Sequence, residues 1–170
     1  KGIPDGTALI LNSNEPLSCS YGAGREGCFY YGVSAPELME EPGIQHAYDD
    51  GAYCPVCGGK MEYRYRISGH VGSFSCEKCG FRTPQPDHSV TGTEEGKLVI
   101  DGKWAVTPQI LNEAFAQNMI AAYTAAVEGI GIEPERAAEL LDGIELDNGR
   151  VVEFGSGRAA WWGRVGEGGG

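Results

Sequence analysis

The sequence predicts an α/β fold into which a small four-cysteine zinc ribbon is inserted. Two observations support this prediction. Short apolar runs typical of strands alternate with helical apolar patterns over most of the 170 residues. Two Cys-x-x-Cys pairs interrupt this pattern near the middle of the chain. Because 27 residues are glycine and 9 are proline, we also expect many turns and long loops. A chain of this length can form one main domain with a core of its own.

Two strands are predicted before the cysteine-rich region. Residues 8–12 form an apolar run bounded by turn residues, which favours a buried strand. Residues 28–33 are rich in aromatic side chains and favour a second strand. Residues 34–53 contain two prolines, two glycines and two aspartates, so a connecting loop is predicted there.

The second half of the chain returns to strand and helix patterns. Short strands are predicted at residues 97–100 and 104–106, with Asp101-Gly102 as the hairpin turn between them. Thr107 before Pro108 has the pattern of a helix N-cap followed by the first helical residue. The helix expected there carries an apolar stripe at steps of three and four residues: Leu111, Phe115, Met119, Ala122 and Ala126.

Glycines are predicted to end both helices of this half. Gly129 and Gly131 can stop the first helix, because glycine readily adopts the left-handed conformation found after helix C-termini. A second, shorter helix is predicted between Glu133-Pro134 and Gly143. Asn148-Gly149 then indicates a tight turn into a strand at residues 151–154.

The strongest signal in the sequence is the spacing of four cysteines. Cys54 and Cys57 form one pair, Cys76 and Cys79 form another, and 18 residues separate the pairs, which is typical of zinc sites. Two residues between thiolates let one tight turn present both sulfurs to a tetrahedral ion. A glycine after each pair permits the positive φ that directs backbone N–H groups at the sulfurs. The sequence therefore predicts one Zn²⁺ ion, structural rather than catalytic, since four protein ligands leave no open position.

The residues between the cysteine pairs are predicted to form the hairpin of a zinc ribbon. Residues 61–67 alternate in polarity, and residues 71–75 can pair back against them through a turn at 68–70. Disulfides are disfavoured because they are rare in cytoplasmic proteins. A redox dithiol is disfavoured because it would place a single pair beside a βαβ pattern. Cys19 and Cys28 fit no metal spacing and are interpreted as ordinary thiols.

The acidic balance of the chain argues against nucleic acid as a partner. The 24 acidic residues outnumber the 13 basic ones, and the formal net charge is −11. This charge repels phosphate backbones unless the cations are concentrated on one face. The ribbon interleaves tyrosines with Arg64 and Arg66, but its local charge is too small to change this expectation. Without a signal-peptide pattern or a long apolar run, we expect a cytoplasmic location and no transmembrane segment.

Two glycine-rich segments come close to nucleotide-binding loops without meeting their requirements. Residues 22–27 spell Gly-x-Gly-x-x-Gly, but a strand-like run follows where a helix should begin. Residues 92–98 have one intervening residue too few for a phosphate loop, and Leu98 stands where Ser or Thr would hold Mg²⁺. A hairpin turn is predicted there instead, and we expect no triphosphate-binding loop within this sequence.

Asn118 is a polar residue on the predicted helix stripe. It lies seven residues after Leu111, so the pattern directs it inward, where an unpartnered amide costs about 1–3 kcal/mol. Satisfaction by the backbone and contact with a ligand are both compatible with this position. No catalytic residue is predicted, and His46, His70 and His88 are interpreted as surface or turn residues.

Several motifs together resemble the MurT family. They are Leu9-Ile10-Leu11-Asn12 with Pro16, Tyr31-Gly32-Val33, the ribbon with Gly69-His70-Val71-Gly72, Cys79-Gly80-Phe81-Arg82, Asn118-Met119-Ile120-Ala121-Ala122, and Gly149-Arg150. The resemblance covers about residues 7 to 154, and the inserted ribbon is its most specific part. The chain departs from the family at Asn14 and Glu15, where the family usually carries two Asp residues.

The resemblance implies a partial Mur-ligase middle domain, which is a P-loop NTPase-like sheet with helices. It implies the ATP-dependent ligase subunit of lipid II isoglutaminyl synthase, which activates the α-carboxylate of D-glutamate in lipid II as an acyl phosphate. Ammonia from a GatD-type glutaminase partner then gives D-isoglutamine during peptidoglycan synthesis. ATP and Mg²⁺ are the cofactors implied for the full-length protein. Asn118 would lie at the adenine end of the ATP site, and Asn12 would belong to the loop that lines the nucleotide pocket.

We interpret the sequence as a fragment of such a protein, since the family's phosphate loop and C-terminal ligase domain are missing from it. Residues 1–53 are predicted to be the first part of the middle domain, 54–88 the inserted ribbon, 89–155 the remainder, and 156–170 an irregular glycine-rich tail. The fragment alone is expected to be inactive. The alternative function is a non-catalytic zinc-ribbon module that binds protein or nucleic acid.

Overall fold

A five-stranded mixed β-sheet with helices forms the centre of the computed structural model, which describes residues 3–4, 6–40 and 51–144 and the backbone of 152–154 and 161–163. In chain order the strands are β1 (Leu9–Asn12), β2 (Cys28–Val33), β3 (Met61–Ser68), β4 (Val71–Cys76), β5 (His88–Glu94), β6 (Lys97–Ile100), β7 (Trp104–Val106), β8 (Val152–Phe154) and β9 (Trp161–Gly163). The helices are α1 (Pro16–Gly22), α2 (Glu113–Thr124) and α3 (Pro134–Leu141). The predicted α/β class is confirmed.

The central sheet has the strand order β1-β2-β5-β6-β7. Its first three strands are parallel, and β6 and β7 extend it in antiparallel fashion. The turn between β5 and β6 contains Glu95 and Gly96, both with positive φ, so the predicted hairpin in this segment is confirmed. Helix α1 connects β1 to β2, and the ribbon occupies the connection from β2 to β5.

Helix α1 is absent from the sequence predictions. Its N-cap is Glu15, whose carboxylate accepts hydrogen bonds from the backbone N–H groups of Leu17 and Ser18. Pro16 is the first helical residue, where the missing N–H has no consequence. Glutamate is not among the preferred N-cap residues, and seven residues are too few to show a helical period. The sequence therefore gives a weak signal for this helix.

Helix α2 begins later than the sequence predicts. Thr107 is not its N-cap, because the Thr107 N–H donates to Asp142 Oδ1 at 2.8 Å, beyond the end of α3. Asn112 caps the helix instead, and its Oδ1 accepts the N–H of Phe115 at 2.8 Å. The hydrogen bonds from Thr107 also lower the pKa of Asp142.

The buried face of α2 also differs from the predicted stripe. It packs against β1, β2 and β5 through Ala116, Met119, Ile120, Tyr123 and Thr124. Of the predicted stripe only Met119 is buried, whereas Leu111 precedes the helix and Ala122 is exposed. A π-helical segment, Ala125–Ile130, continues α2 and ends before Gly131, whose φ is 82° as expected for a C-terminal cap.

The main core lies between the sheet and helices α2 and α3. Its buried residues come from both layers and from the ribbon: Val33, Ala35, Ile67, Val90, Leu98, Ile100, Val106, Ala116, Met119, Ile120, Tyr123, Ala137 and Ala138. Ile67 belongs to β3, so the ribbon contributes directly to this core.

Strands β3 and β4 form the antiparallel hairpin that was predicted for the ribbon. Two hydrogen bonds attach this hairpin to the sheet. Tyr65 Oη donates to the carbonyl of Val33 at 3.2 Å, and the Gly72 N–H donates to the carbonyl of Asn14 at 2.8 Å. The ribbon therefore lies against the carboxyl ends of β1 and β2.

Near the C-terminus of the sequence, β8 and β9 pair in antiparallel fashion. Strand β8 matches most of the predicted strand at 151–154, whereas β9 lies in the segment predicted to be irregular. The predicted Asn148-Gly149 turn and His46 lie outside the described residues. Among the helices that are described, none is both long and apolar enough to cross a membrane.

Candidate functional site

Four cysteine sulfurs converge at one end of the ribbon. The Sγ atoms of Cys54, Cys57, Cys76 and Cys79 all lie within 4.8 Å of one another. Cys54 Sγ is 3.7 Å from Cys79 Sγ, and Cys57 Sγ is 3.6 Å from Cys76 Sγ. A tetrahedral zinc site with Zn–S bonds of about 2.3 Å separates its sulfurs by about 3.8 Å. The four thiols are not in disulfides, and their spacing fits a zinc ion.

The two cysteine pairs are held by nearly identical turns. The Gly58 N–H donates to the Cys54 carbonyl and the Gly80 N–H donates to the Cys76 carbonyl, both at 2.8 Å. Both glycines adopt the predicted positive φ, at 69° and 74°. The Gly59 N–H approaches Cys57 Sγ at 3.4 Å, the type of contact that stabilises a thiolate.

The pKa values of two cysteines are shifted in opposite directions by their neighbours. Burial raises the pKa of the Cys76 thiol, but N–H and S–H donors from Cys79, Cys57 and Lys78 outweigh burial and lower it to about 7. The Phe81 backbone lowers the pKa of Cys79, but burial and the three other sulfurs raise it to about 12. Four sulfurs this close cannot all be thiolates without a cation between them. A divalent metal would supply that charge.

Three aromatic side chains pack together in the ribbon's interior. Phe74 packs between Tyr63 and Phe81, with ring centroids 6.4 and 5.4 Å away. Tyr63 Oη also donates to the His70 carbonyl at 3.1 Å and carries Arg66 over its ring at 3.8 Å. His70 thus lies in a turn, as predicted.

Asn12 lies at the carboxyl end of β1, where it joins the sheet to α2. Its Nδ2 donates to Gln117 Oε1 at 3.0 Å, and its Oδ1 accepts the N–H of Asn14 at 2.9 Å. The Cys19 thiol donates to the Asn12 carbonyl at 3.2 Å, and burial raises the pKa of this thiol to about 12. Asn12 is therefore fixed in position by Gln117, which directly precedes Asn118 on α2.

Asn118 does not point into the core as the helix stripe predicts. It is exposed, at the edge of a small apolar pocket of about 90 Å³ beside Phe115 and Ile144. The prediction of an inward orientation is wrong, because α2 turns a different face to the sheet. The contact of Asn118 with a nucleotide stays a prediction, since an exposed amide can reach a ligand.

His88 is neither a surface residue nor part of a turn, in contrast to the prediction. It begins β5, its side chain is 13% exposed, and it bridges two carboxylates. Nδ1 is 2.8 Å from Asp101 Oδ2, Nε2 is 3.1 Å from Glu128 Oε1, and the ring packs edge-on against Tyr123 at 5.1 Å. The hydrogen bond with Asp101 outweighs burial and raises the pKa of His88.

A polar cleft of about 690 Å³ opens between the ribbon and the carboxyl ends of β1 and β2. Ser13 and Asn14 line it from the loop after β1, and Arg64 and Ser73 line it from the ribbon. No pattern in the sequence links these residues as a group, because their proximity depends on how the hairpin packs on the sheet.

The chain has relatives among proteins described as MurT subunits. It is 26% identical over 153 residues to the protein described as lipid II isoglutaminyl synthase (glutamine-hydrolyzing) subunit MurT of Staphylococcus aureus strain COL, covering 88% of this chain and 33% of that protein. It is 27% identical over 115 residues to the subunit MurT of Streptococcus pneumoniae R6, covering 59% of this chain and 23% of that protein. No protein-family model matches. The chain spans at most a third of the length of these relatives.

A solved structure supports the same relationship at the level of the fold. The pseudomurein peptide ligase type C of Methanothermus fervidus superposes with a TM-score of 0.68 at 24% identity, covering 86% of this chain and 29% of that one. The sheet and its helices thus share the fold of this peptide ligase, and the four-cysteine cluster is consistent with a zinc ribbon. Sequence and fold together make this chain a distant homologue of the MurT proteins over most of its length.

Proposed function

We propose that this chain is the middle-domain portion of an ATP-dependent ligase subunit of the MurT type. In this proposal the complete protein works in the cytoplasm with a GatD-type glutaminase and ATP-Mg²⁺. It amidates the D-glutamate α-carboxylate of lipid II to D-isoglutamine. The observation that carries the proposal is the 26% identity with MurT over 88% of the chain.

The metal centre has a structural part in this proposal. Four converging cysteine thiols would hold one Zn²⁺, and with every coordination position filled by protein the ion would fix the ribbon against the sheet rather than react. The ribbon packs through Ile67 and Tyr65 onto the α/β sheet. This packing favours the ligase function over the alternative of an independent zinc-ribbon binding module.

The chain's own residues would shape the nucleotide side of the site. Asn12 is held at the end of β1 by Gln117 of α2, and Asn118 is the next residue on that helix. An exposed amide offers both a donor and an acceptor, which suits the edge of an adenine base. Residues 92–98 form strand and hairpin turn, so the β- and γ-phosphates and Mg²⁺ would be held by parts of the protein outside these residues.

The decisive experiment is reconstitution of amidation. A protein that contains this sequence with its native flanking coding sequence is purified together with the GatD-type partner and incubated with lipid II, ATP, Mg²⁺ and glutamine. Mass spectrometry of the released stem peptide should show conversion of the D-glutamate carboxylate to an amide. Replacing the partner and glutamine by an ammonium salt separates the ligase step from the supply of ammonia.

The matched control is this 170-residue chain alone, which should neither amidate lipid II nor hydrolyse ATP. Absence of amidation by the zinc-loaded, folded longer protein with either ammonia source would contradict the proposal. Steady ATP hydrolysis by the repurified 170-residue chain would contradict the division of roles given above.

A further inference from the structure

The cleft between the ribbon and the sheet has an unusual charge for this chain. Although the protein has a net charge of −11, Arg64 is the one charged side chain among the described residues that line this cleft, and none of these is a carboxylate. The remaining polar lining residues are hydrogen-bonding but uncharged: Ser13, Asn14, Ser34, Tyr65, Ser73, Thr83, Gln85 and Ser89. A cavity with one cation and many hydroxyl and amide groups is complementary to an anion.

Ser13 provides an independent sign that a ligand is expected. Its residue is 1% exposed, and its Oγ has no hydrogen-bond partner within the described part of the chain. Buried hydroxyls normally find a partner, and an exception calls for an explanation. Since Ser13 lines the cleft, an oxygen of a bound anion could accept a hydrogen bond from its hydroxyl.

Gly32 makes room for this hydroxyl. A Cβ at Gly32 would lie 2.4 Å from Ser13 Oγ and 3.1 Å from Asn14 Oδ1. The Asn14 oxygen is itself occupied, because it accepts the Val33 N–H at 2.7 Å. Because Gly32 has no side chain, Ser13 Oγ and Asn14 can lie against its backbone at the wall of the cleft.

The two ribbon arginines have different partners. Arg66 lies over the Tyr63 ring and donates to the Gly69 carbonyl, so it stabilises the hairpin. Arg64, two residues earlier on the same strand, forms no ion pair with any residue that the structure describes and lines the cleft instead. Its guanidinium can bind a phosphate or carboxylate group through paired N–H donors.

We propose that this cleft is a subsite for an oxyanion of the ligase substrate, held by Arg64 of the ribbon and by Ser13 of the loop after β1. The inference deepens the proposed function and rests on it for the identity of the ligand. It gives the ribbon a part in binding substrate in addition to its metal. Neither Asn12 nor Asn118 lines this cleft, but Ser13 and Asn14 belong to the same loop as Asn12, so the cleft lies next to the residues predicted for the nucleotide.

The test is a titration of the zinc-loaded 170-residue chain, followed by ¹H–¹⁵N NMR, with two probes. Inorganic pyrophosphate represents a phosphate source, and N-acetyl-D-glutamate represents a carboxylate source. Saturable shifts of the Ser13, Arg64 and Ser73 signals are expected with at least one probe, and the preferred probe identifies the source. Arg64→Gln should weaken binding about tenfold or more, and Ser13→Ala should weaken it to a smaller degree.

Arg136→Gln is the matched control, because it removes the same charge from an exposed position on α3, remote from the cleft. It should leave binding unchanged. Because Arg64 is exposed, Arg64→Gln should fold normally. Its zinc content and melting temperature, compared with those of the parent, check this. No saturable shift with either probe, or equal weakening by Arg64→Gln and Arg136→Gln, would overturn the proposal. Because the titration needs neither ATP nor the partner, its result is independent of the amidation assay.

Discussion

The ribbon and the central sheet are stabilised in different ways. The ribbon's buried cluster has five residues, of which Cys54 and Cys76 are metal ligands in our proposal, and Met61, Phe74 and Cys19 complete it. Among the described residues, the main core buries thirteen, of which only Ile67 comes from the ribbon, and no metal-ligating cluster lies among them. A segment as short as the ribbon cannot bury enough apolar surface to fold unaided. A metal can therefore replace a core where the chain is short, whereas the sheet depends on packing.

The division between the two regions is not complete, because each contributes a residue to the other. Ile67 of β3 is 2% exposed in the main core, and Cys19 of α1 is 2% exposed in the ribbon cluster. Loss of the metal should weaken the sheet, because the ribbon holds Ile67 in the main core. Loss of sheet packing should affect the metal less, because local turns hold both cysteine pairs.

The largest effect is expected for Cys76→Ser. Structural zinc supplies about 10–16 kcal/mol of apparent binding energy in small peptides, and a lost thiolate removes much of it. Elemental analysis should find one zinc per chain in the parent protein and far less in the variant, with a lower melting temperature. Cys28→Ser, which changes a thiol of β2 outside the cluster, is the control and should keep its zinc. Unchanged zinc content in Cys76→Ser would contradict the four-cysteine site.

A smaller effect is expected for Ile67→Ala, which creates a cavity in the main core. The free energy of unfolding should fall by about 2–5 kcal/mol, measured by urea denaturation, while zinc content stays at one per chain. Leu140→Ala, at a position 50% exposed on α3, should change this free energy by less than about 0.5 kcal/mol. Loss of zinc from Ile67→Ala would show that the two regions depend on each other equally.

A still smaller effect on stability is expected when the bridge from His88 to Asp101 and Glu128 is removed. Because the pKa of His88 is raised in the folded protein, its contribution is fully present below the ordinary pKa of about 6.5 and is lost as the pH rises through the raised value. Above that value one ring nitrogen becomes an acceptor facing a carboxylate.

We therefore expect His88→Gln to lower stability by about 1 kcal/mol at pH 6 and by less at pH 8. Thermal melts of both proteins at the two pH values measure this difference. An equal loss at pH 6 and pH 8 would mean that packing against Tyr123, rather than charge, accounts for the role of His88.

The smallest effect on stability is expected for Asn118→Ala, since this side chain is exposed. Its melting temperature should match that of the parent within error, corresponding to less than about 0.5 kcal/mol. In the longer protein with its partner, the same substitution should raise the ATP concentration needed for half-maximal amidation about tenfold to a hundredfold if the amide contacts adenine. Unchanged ATP dependence would remove Asn118 from the nucleotide site.

The features that the sequence predicts well are those decided within a few residues. The convergence of Cys54, Cys57, Cys76 and Cys79 follows from their spacing, and the hairpin follows from the alternation between the pairs. Spacing within a tight turn determines the positions of two sulfurs, whatever the rest of the fold does. The same holds for Gly131, whose positive φ ends the helix locally.

The features that the sequence does not predict depend on contacts between distant residues. Thr107 fails as an N-cap because Asp142, 35 positions later, takes its N–H. His88 becomes a half-buried bridge between Asp101 and Glu128, which lie 13 and 40 positions away in the sequence. The cleft at Arg64 depends on how the ribbon lies against the loop after β1. No local pattern contains this information.

The insertion point of the ribbon has a consequence for the order of folding events. Strands β2 and β5 are adjacent in the sheet, yet the bond from the Tyr30 N–H to Asp87 joins residues 57 positions apart. A metal that ties Cys54 to Cys79 shortens the loop that must close before these strands pair. The entropy of closure then falls by about 0.5 kcal/mol, which is about a twofold acceleration. Zinc supply would thus influence how quickly the sheet assembles. Stopped-flow refolding with and without zinc measures this difference in rate.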